Sequence, residues 1–544
     1  MSPIVLLAGN AALLALAAWR VRRLMHHWLV VGAIVLLAPV AASVFAAVGG
    51  SGAPLLLGTP AAAPTFGQPV RGGGMDALLS VDGLSVFVTL LALASMAVAL
   101  AASAMGGDGP GWPARPVRRT VGAQLALAGC VLAASATHLA LMVVGVVLQG
   151  AATWAALFDG ASSRLRRGLA IGAGVLSLVL LVVGAALICS EAGTAFFASF
   201  AQPPLAGRSS SAARTMSMIF LLVGTGSWLV LPALISSRER DGERDPGRAL
   251  WLGMLPAIAT FGIIVRLLVV AMESPVGFGS VFDGVQWVPV FVIFAIMLMT
   301  TGHAIALMAK RLTPMIGGLA LANAGLLFCA LATAMSYSAG LLAPPDSELS
   351  LTCVAHIAQL LGACGFWLWI MLALLTGLVV GTTAARSLAG RDDLGAVQGL
   401  ARRMPWLAVG LAMIVLAQIG VFPTAGFTGR MELLRGPMEA PRTGLVSDLE
   451  TVQQLSLVVG AAFFNIALGV LVATRIGRRL MRAPLDGGAP VAVGPPSPLR
   501  RLLLGGAVGS VLVLGMAELW AYNLREAFVA LRQFAPRPAM KAMP

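Results

Sequence analysis

Charged residues are swept out of about fourteen long apolar segments of this chain and stacked in the short stretches between them. A helix needs about 20 apolar residues to cross a bilayer. Lipid offers the backbone no hydrogen-bonding partner, and a helix satisfies its own groups. The pattern therefore fixes the solvent before anything else. Only 11% of the 544 residues are charged and 58% are hydrophobic, with a mean hydropathy of +0.92; a soluble chain carries roughly 25% charged residues. The chain reads as an all-α polytopic membrane protein with about fourteen transmembrane helices.

The expected spans are 3–19, 28–48, 84–105, 117–135, 138–158, 168–189, 214–236, 250–271, 287–308, 313–335, 351–384, 404–427, 453–475 and 500–520. Only Ser135, Ala136 and Thr137 separate the fourth from the fifth, which makes a tight hairpin. The first span lacks the basic start and small-residue cleavage site of a signal peptide and reads as a retained helix. Alternate loops collect arginine: Arg20, Arg22 and Arg23; Arg115, Arg118 and Arg119; Arg164, Arg166 and Arg167; then Arg238 to Arg248. The same side continues with Lys310 and Arg311, Arg386 to Arg403, and Arg475 to Arg482. Basic loops stay in the cytoplasm, so both termini lie outside a bacterial-type inner (plasma) membrane. The net charge of +14 is then topology plus contact with anionic lipid headgroups. Its dispersal over many short loops argues against a nucleic-acid partner.

Five cysteines (Cys130, Cys189, Cys329, Cys353 and Cys364) lie in or beside apolar spans without a C-x-x-C pair, so no zinc or iron–sulfur site is expected. No nucleotide loop, nucleophile elbow or metal-ligand cluster stands in the sequence, and no cofactor is expected on this chain. An active site of its own is not expected either.

Helix-breaking residues inside a span mark the places where function sits. Gly253 and Pro256 interrupt the eighth span, and Gly420, Pro423 and Gly426 interrupt the twelfth. Proline lacks the backbone donor and clashes with the preceding turn, so breaks are expected at Pro256, Pro423 and Gly426. The competing reading of a lone proline is a packing kink. Few ionisable groups remain inside spans. Arg430 follows the twelfth-span break. Arg266, near the end of the eighth span, reads first as a side chain snorkelling to the interface. His303 and His356 can relay protons, although a lone intramembrane histidine is more often a hydrogen-bonding packing residue. Asp82 reads as a helix N-cap, His138 as interfacial, and Glu518 as a surface group.

The run from Arg403-Met-Pro-Trp-Leu-Ala to Gly420-Val-Phe-Pro-Thr-Ala-Gly-Phe-Thr-Gly-Arg430 resembles the twelfth-helix signature of the antiporter-like subunits of complex I, the proton-pumping NADH:quinone oxidoreductase. Within that family, which extends to Mrp-type antiporters, it is most similar to subunit N. Ser80-Val-Asp-Gly-Leu-Ser-Val-Phe resembles the opening of the family's third helix, and His138-Leu-Ala with Gly145 the start of its fifth. Ala257-Ile-Ala-Thr-Phe-Gly-Ile-Ile-Val-Arg-Leu resembles its eighth helix, and Pro232, Gly302 and Gly325 keep family spacings.

The resemblance implies two inverted five-helix repeats with broken helices, and three regions. These are 1–116 with helices one to three and outer loop 49–80, a core 117–475, and 476–544 with linker, last helix and tail. It also implies other membrane-arm subunits as partners, with all redox groups on them. Family members carry protons along a line of buried charges. The resemblance places those stations on Val147, Ser227, Ala257, Thr313 and Asn323, none of them charged, and keeps a charge only at Arg430. Arginine stays protonated, so Arg430 holds a fixed charge or pairs with a carboxylate. Three readings follow: a divergent subunit N that pumps, a degenerate paralogue that holds a complex together, or an unrelated secondary transporter with broken helices.

Overall fold

Helices in lipid gain little from hydrophobic burial against one another, so they associate by close backbone approach where residues are small. The computed structural model describes Leu37, Ala195 and residues 83–104, 116–158, 164–192, 211–236, 246–272, 287–337, 348–389, 393–446, 448–482 and 498–534. The spans expected at 3–19 and 28–48 (Leu37 apart), loop 49–80, Asp82 and the side chain of Glu518 lie outside what is described.

The first helices are α1 (Gly83–Ala104), α2 (Pro116–Ser135), α3 (Leu139–Phe158), α4 (Arg164–Ala192), α5 (Ser211–Ser236) and α6 (Pro246–Met272). They are followed by α7 (Trp287–Met308), α8 (Leu312–Ser336) and α9 (Glu348–Ala389). After a 3-10 turn (Leu394–Val397) and a single helical turn (Leu400–Arg403) come α10 (Pro405–Ile419), α11 (Ala425–Glu439), α12 (Leu449–Met481) and α13 (Pro498–Phe534). No β-strand occurs among the described residues. Nine of the described helices are long and apolar enough to cross a membrane, and α2, α3 and α10 add shorter apolar helices. The chain is an integral membrane protein.

The apolar windows of α6 and α8 are 94% buried and that of α9 89%, against 33% for α4 and α12 and 22% for α13. Helices α6, α8 and α9 therefore form the centre, and the others surround them. Glycine brings neighbours into backbone contact. A Cβ at Gly129 or Gly145 would strike the facing backbone of the α2–α3 hairpin, and one at Gly302 or Gly318 that of α7–α8. The five cysteines are free, and Cys130, Cys329, Cys353 and Cys364 are buried as packing residues. Asp448 caps α12 by accepting from Thr451 N at 3.0 Å and Thr451 Oγ1 at 2.7 Å, and these donors hold its carboxyl below the usual range.

The two proline-bearing spans diverge. The break expected at Pro256 is absent, and α6 runs through it without interruption. Membrane helices tolerate a proline within a continuous helix. The twelfth span instead separates into α10 and α11 around Gly420–Thr424, where Gly420 takes the left-handed conformation (φ 80°) and ends α10. That conformation suits a residue without Cβ. Gly426 lies inside the first turn of α11, beyond the break.

Helix α13 closes over this break with Gly515. A Cβ there would come within 3.0 Å of the backbone of Pro423, Thr424 and Ala425. Gly515→Val should therefore lower the thermal stability of the chain in detergent, by about 1–3 kcal/mol for overpacking. Gly505→Ala, on the same helix with open space at its Cβ, should leave it unchanged. Equal stability of the two variants would mean that α13 does not seat on the break.

Candidate functional site

A long side chain on a helix leans back toward the helix N-terminus. Arg430, on the second turn of α11, therefore reaches into the gap between α10 and α11. It is 4% exposed. Its Nη2 donates to the backbone carbonyl of Gln418, one of the last residues of α10, and to Asn323 Oδ1 at 3.5 Å. Its Cζ stands 5.6 Å from the ring centroid of Trp367. Among the described residues no carboxylate pairs with it, which leaves the fixed charge of the two expectations within this chain; the Arg435–Glu439 pair of α11 is exposed. The negative end of a helix macrodipole, about half an elementary charge, stands in for a carboxylate.

The acceptors are themselves fixed. Asn323 Nδ2 donates to Gln418 Oε1 at 3.2 Å, and Gln418 Nε2 donates back to Asn323 Oδ1 at 3.0 Å. Trp367 Nε1 donates to the Asn323 carbonyl at 2.9 Å. Asn323, Gln418, Trp367 and Arg430 thus form one buried unit on α8, α10, α9 and α11. Sequence reasoning identified Arg430 and Asn323 but not Gln418 or Trp367. A lone glutamine in an apolar span carries the same signal as a lone charge, and weighing only ionisable groups missed it.

His303 lies apart from this unit, between α7 and α12. Its Nδ1 faces two acceptors, Met299 O at 2.9 Å and Asn465 Oδ1 at 3.1 Å. The Asn465 amide is oriented by donating to Ala461 O at 2.9 Å and Thr300 Oγ1 at 3.2 Å, so the ring proton belongs on Nδ1. Nε2 faces Gly469. His356 is farther out, half-buried and stacked on Tyr337 at 5.2 Å.

Arg266 does not snorkel. It is buried, and its Nε donates at 2.9 Å to the carbonyl of Ala134, the penultimate residue of α2. Arg475 of α12 does the same at 2.5 Å to Leu307, the penultimate residue of α7.

The remaining family positions are uncharged in the sequence and lie in uncharged surroundings, with one exception. Val147 is half-buried in α3. Ser227 donates to Ser177 Oγ at 2.5 Å, and Ser177 to the Gly224 carbonyl at 2.7 Å, which ties α5 to α4. Ala257 is 1% exposed and borders a cavity of about 10 Å³, room for one water at most. The cavity is lined by Leu229, Phe261, Leu327 and Phe328, with Thr260 as its polar member. The exception is Thr313, where Arg386 of α9 brings a guanidinium to 2.9 Å from the hydroxyl. Among the described residues no group of three His, Cys, Asp or Glu side chains could hold a metal.

Because Asn323 and Gln418 satisfy each other, removing one leaves the other orphaned, at a cost of roughly 1–3 kcal/mol. Asn323→Leu should show that loss in detergent unfolding. The double variant with Gln418→Leu should fall short of the summed losses by about 1 kcal/mol or more. Additive losses would mean that the two amides do not interact.

No family model matches the chain. It is 23% identical over 350 residues to NADH-quinone oxidoreductase subunit N of Nitrosomonas europaea, covering 63% of this chain and 65% of that protein. It is 26% identical over 419 residues to the subunit of that name in Ectopseudomonas mendocina, covering 75% and 76%. Among solved structures it is similar to a chain of respiratory complex I from Thermus thermophilus, with a TM-score of 0.62, 19% identity and coverage of 94% and 96%. It is also similar to a chain of the Mrp complex from Dietzia, with a TM-score of 0.65, 16% identity and coverage of 95% and 93%. In sequence and in fold this chain is therefore similar to the antiporter-like membrane subunits of complex I and its relatives.

Proposed function

We propose that the chain is a membrane-arm subunit of a proton-translocating assembly of the NADH:quinone oxidoreductase kind, and that protons do not cross it by a lysine relay. The likeness to subunit N supports the first part. The surroundings of Ala257 carry the second. A relay needs titratable stations or water between them, and a low-dielectric gap without either is a barrier to a proton. At Ala257 the central helix offers a methyl group and an apolar cavity with space for a single water. On one side stands the Ser177–Ser227 hydroxyl pair, and on the other the Asn323–Gln418–Arg430 unit, whose charge does not exchange protons near neutral pH. The role that remains is structural: sealing the membrane arm and bearing against neighbouring subunits. The partners in this reading are other membrane-arm subunits and lipid, with redox cofactors held elsewhere.

The same reading takes helices α2–α6 and α7–α12 as two inverted repeats of five spans, within regions 1–116, 117–475 and 476–544. The paired arginine clamps support it. Arg266, on the fifth span of the first repeat, holds the end of the first span beside a tight turn, and Arg475 does so in the second. Fourteen spans with both termini outside a bacterial plasma membrane place these clamps on opposite faces.

Three measurements test the proposal. Mass spectrometry of the native complex should find this chain with other membrane-arm subunits; recovery of the chain alone would overturn membership. Protons translocated per NADH oxidised should be unchanged by His356→Ala, whereas abolished pumping in an assembled complex would replace the structural reading with a rerouted path. Ser162→Cys should label only from the cytoplasmic side and Ser209→Cys only from outside, and labelling of both from one side would sink the topology.

A further inference from the structure

The unit around Arg430 has the chemistry of a receptor for a cation. Its carbonyl from Gln418 is left over at the end of α10. Gly420 N takes Ala417 O and Val421 N takes Leu416 O, both at 3.0 Å, so the Gln418 oxygen keeps no helical partner. Asn323 Oδ1 is held in place by accepting from Gln418 Nε2 at 3.0 Å and keeps a second lone pair for a cation. The face of Trp367 is set by its indole bond to the Asn323 backbone. Two oxygens and an aromatic face, assembled from three helices, attract positive charge. Two oxygens are too few for a small metal ion such as calcium, which takes six to eight, but they suit a planar organic cation.

We propose that this is a guanidinium-class cation site which the chain fills with its own side chain, so that Arg430 acts as a tethered plug in the broken helix. The tether explains why a buried guanidinium persists without a carboxylate. Its entropy of binding is spent in folding, and its positive charge meets the Gln418 carbonyl, which would otherwise be unmatched. Trp367 and Gln418 are then positioning residues for Arg430. Gly420 belongs to the same device, since a Cβ there would come 2.9 Å from Arg430 Nη1. The plug also fixes the charge of the break. A lysine at this depth can lose its proton, whereas a guanidinium keeps it, and the site stays occupied through any cycle of its neighbours.

The test is chemical rescue of the full chain in detergent, read by thermal unfolding rather than by activity. Arg430→Ala should lower the unfolding midpoint by several degrees. N-ethylguanidinium at millimolar concentration should restore it in a saturable manner, and sodium chloride at the same ionic strength should not. Trp367→Leu in the Arg430→Ala background should remove the rescue. Should Arg430→Ala fail to accumulate, Arg430→Lys and Arg430→Gln decide: lysine should retain most of the stability and glutamine should lose it. A glutamine variant as stable as the parent would overturn the proposal. So would rescue by sodium chloride, or no rescue by the organic cation. None of these outcomes bears on membership of the parent complex, which composition tests separately.

Discussion

A backbone polar group in lipid has nowhere to turn but to protein, and everything distinctive about this chain follows from that at residues 420–424. Opening a helix there frees carbonyls from α10 and amides from α11. Arg430 supplies a donor to the α10 side, and α13 packs Gly515 against the backbone of Pro423, Thr424 and Ala425. The last helix is thus both a lipid-facing element and the lid over the break. Without it the backbone of Pro423, Thr424 and Ala425 would face hydrocarbon.

The same demand orders the polar residues. In a site rich in carboxylates, charge attracts charge and protons have places to rest. Here amides face amides, hydroxyls face hydroxyls, and the buried guanidinium at the break faces a dipole. The two amides satisfy each other and hold rigidly, whereas Arg430 Nε and Nη1 are buried without a hydrogen-bond partner. The polar pairs fasten helices to one another, α4 to α5 through Ser177 and Ser227, and α8 to α10 through Asn323 and Gln418. A membrane fold can hold its helices together in this way without titratable side chains between them.

Much of this was legible in the sequence. Charge-free runs mark most of the described helices to within a few residues; the ninth span, expected at 287–308, is α7 with the same bounds, whereas α13, expected to end at 520, runs to Phe534. Gly420 and Pro423 marked the discontinuity between α10 and α11. Pro256 misled, because sequence shows the missing donor and not whether the packed helix runs on through it. Arg266 misled for a related reason: its acceptor is the carbonyl of Ala134, and a carbonyl is present at every position and distinguishes none. Arg386 was read only as a loop charge, since nothing in the sequence says that α9 carries it back to Thr313.

Those backbone acceptors have an evolutionary meaning. Arg266, Arg475 and Arg430 each hold a carbonyl, of Ala134, Leu307 and Gln418 respectively. No substitution deletes a carbonyl, so the acceptor side of each fastening is immune to sequence drift, and inheritance has to preserve only the arginine. A chain fastened in this manner can exchange three of every four residues with its relatives and still arrive at the same arrangement of helices.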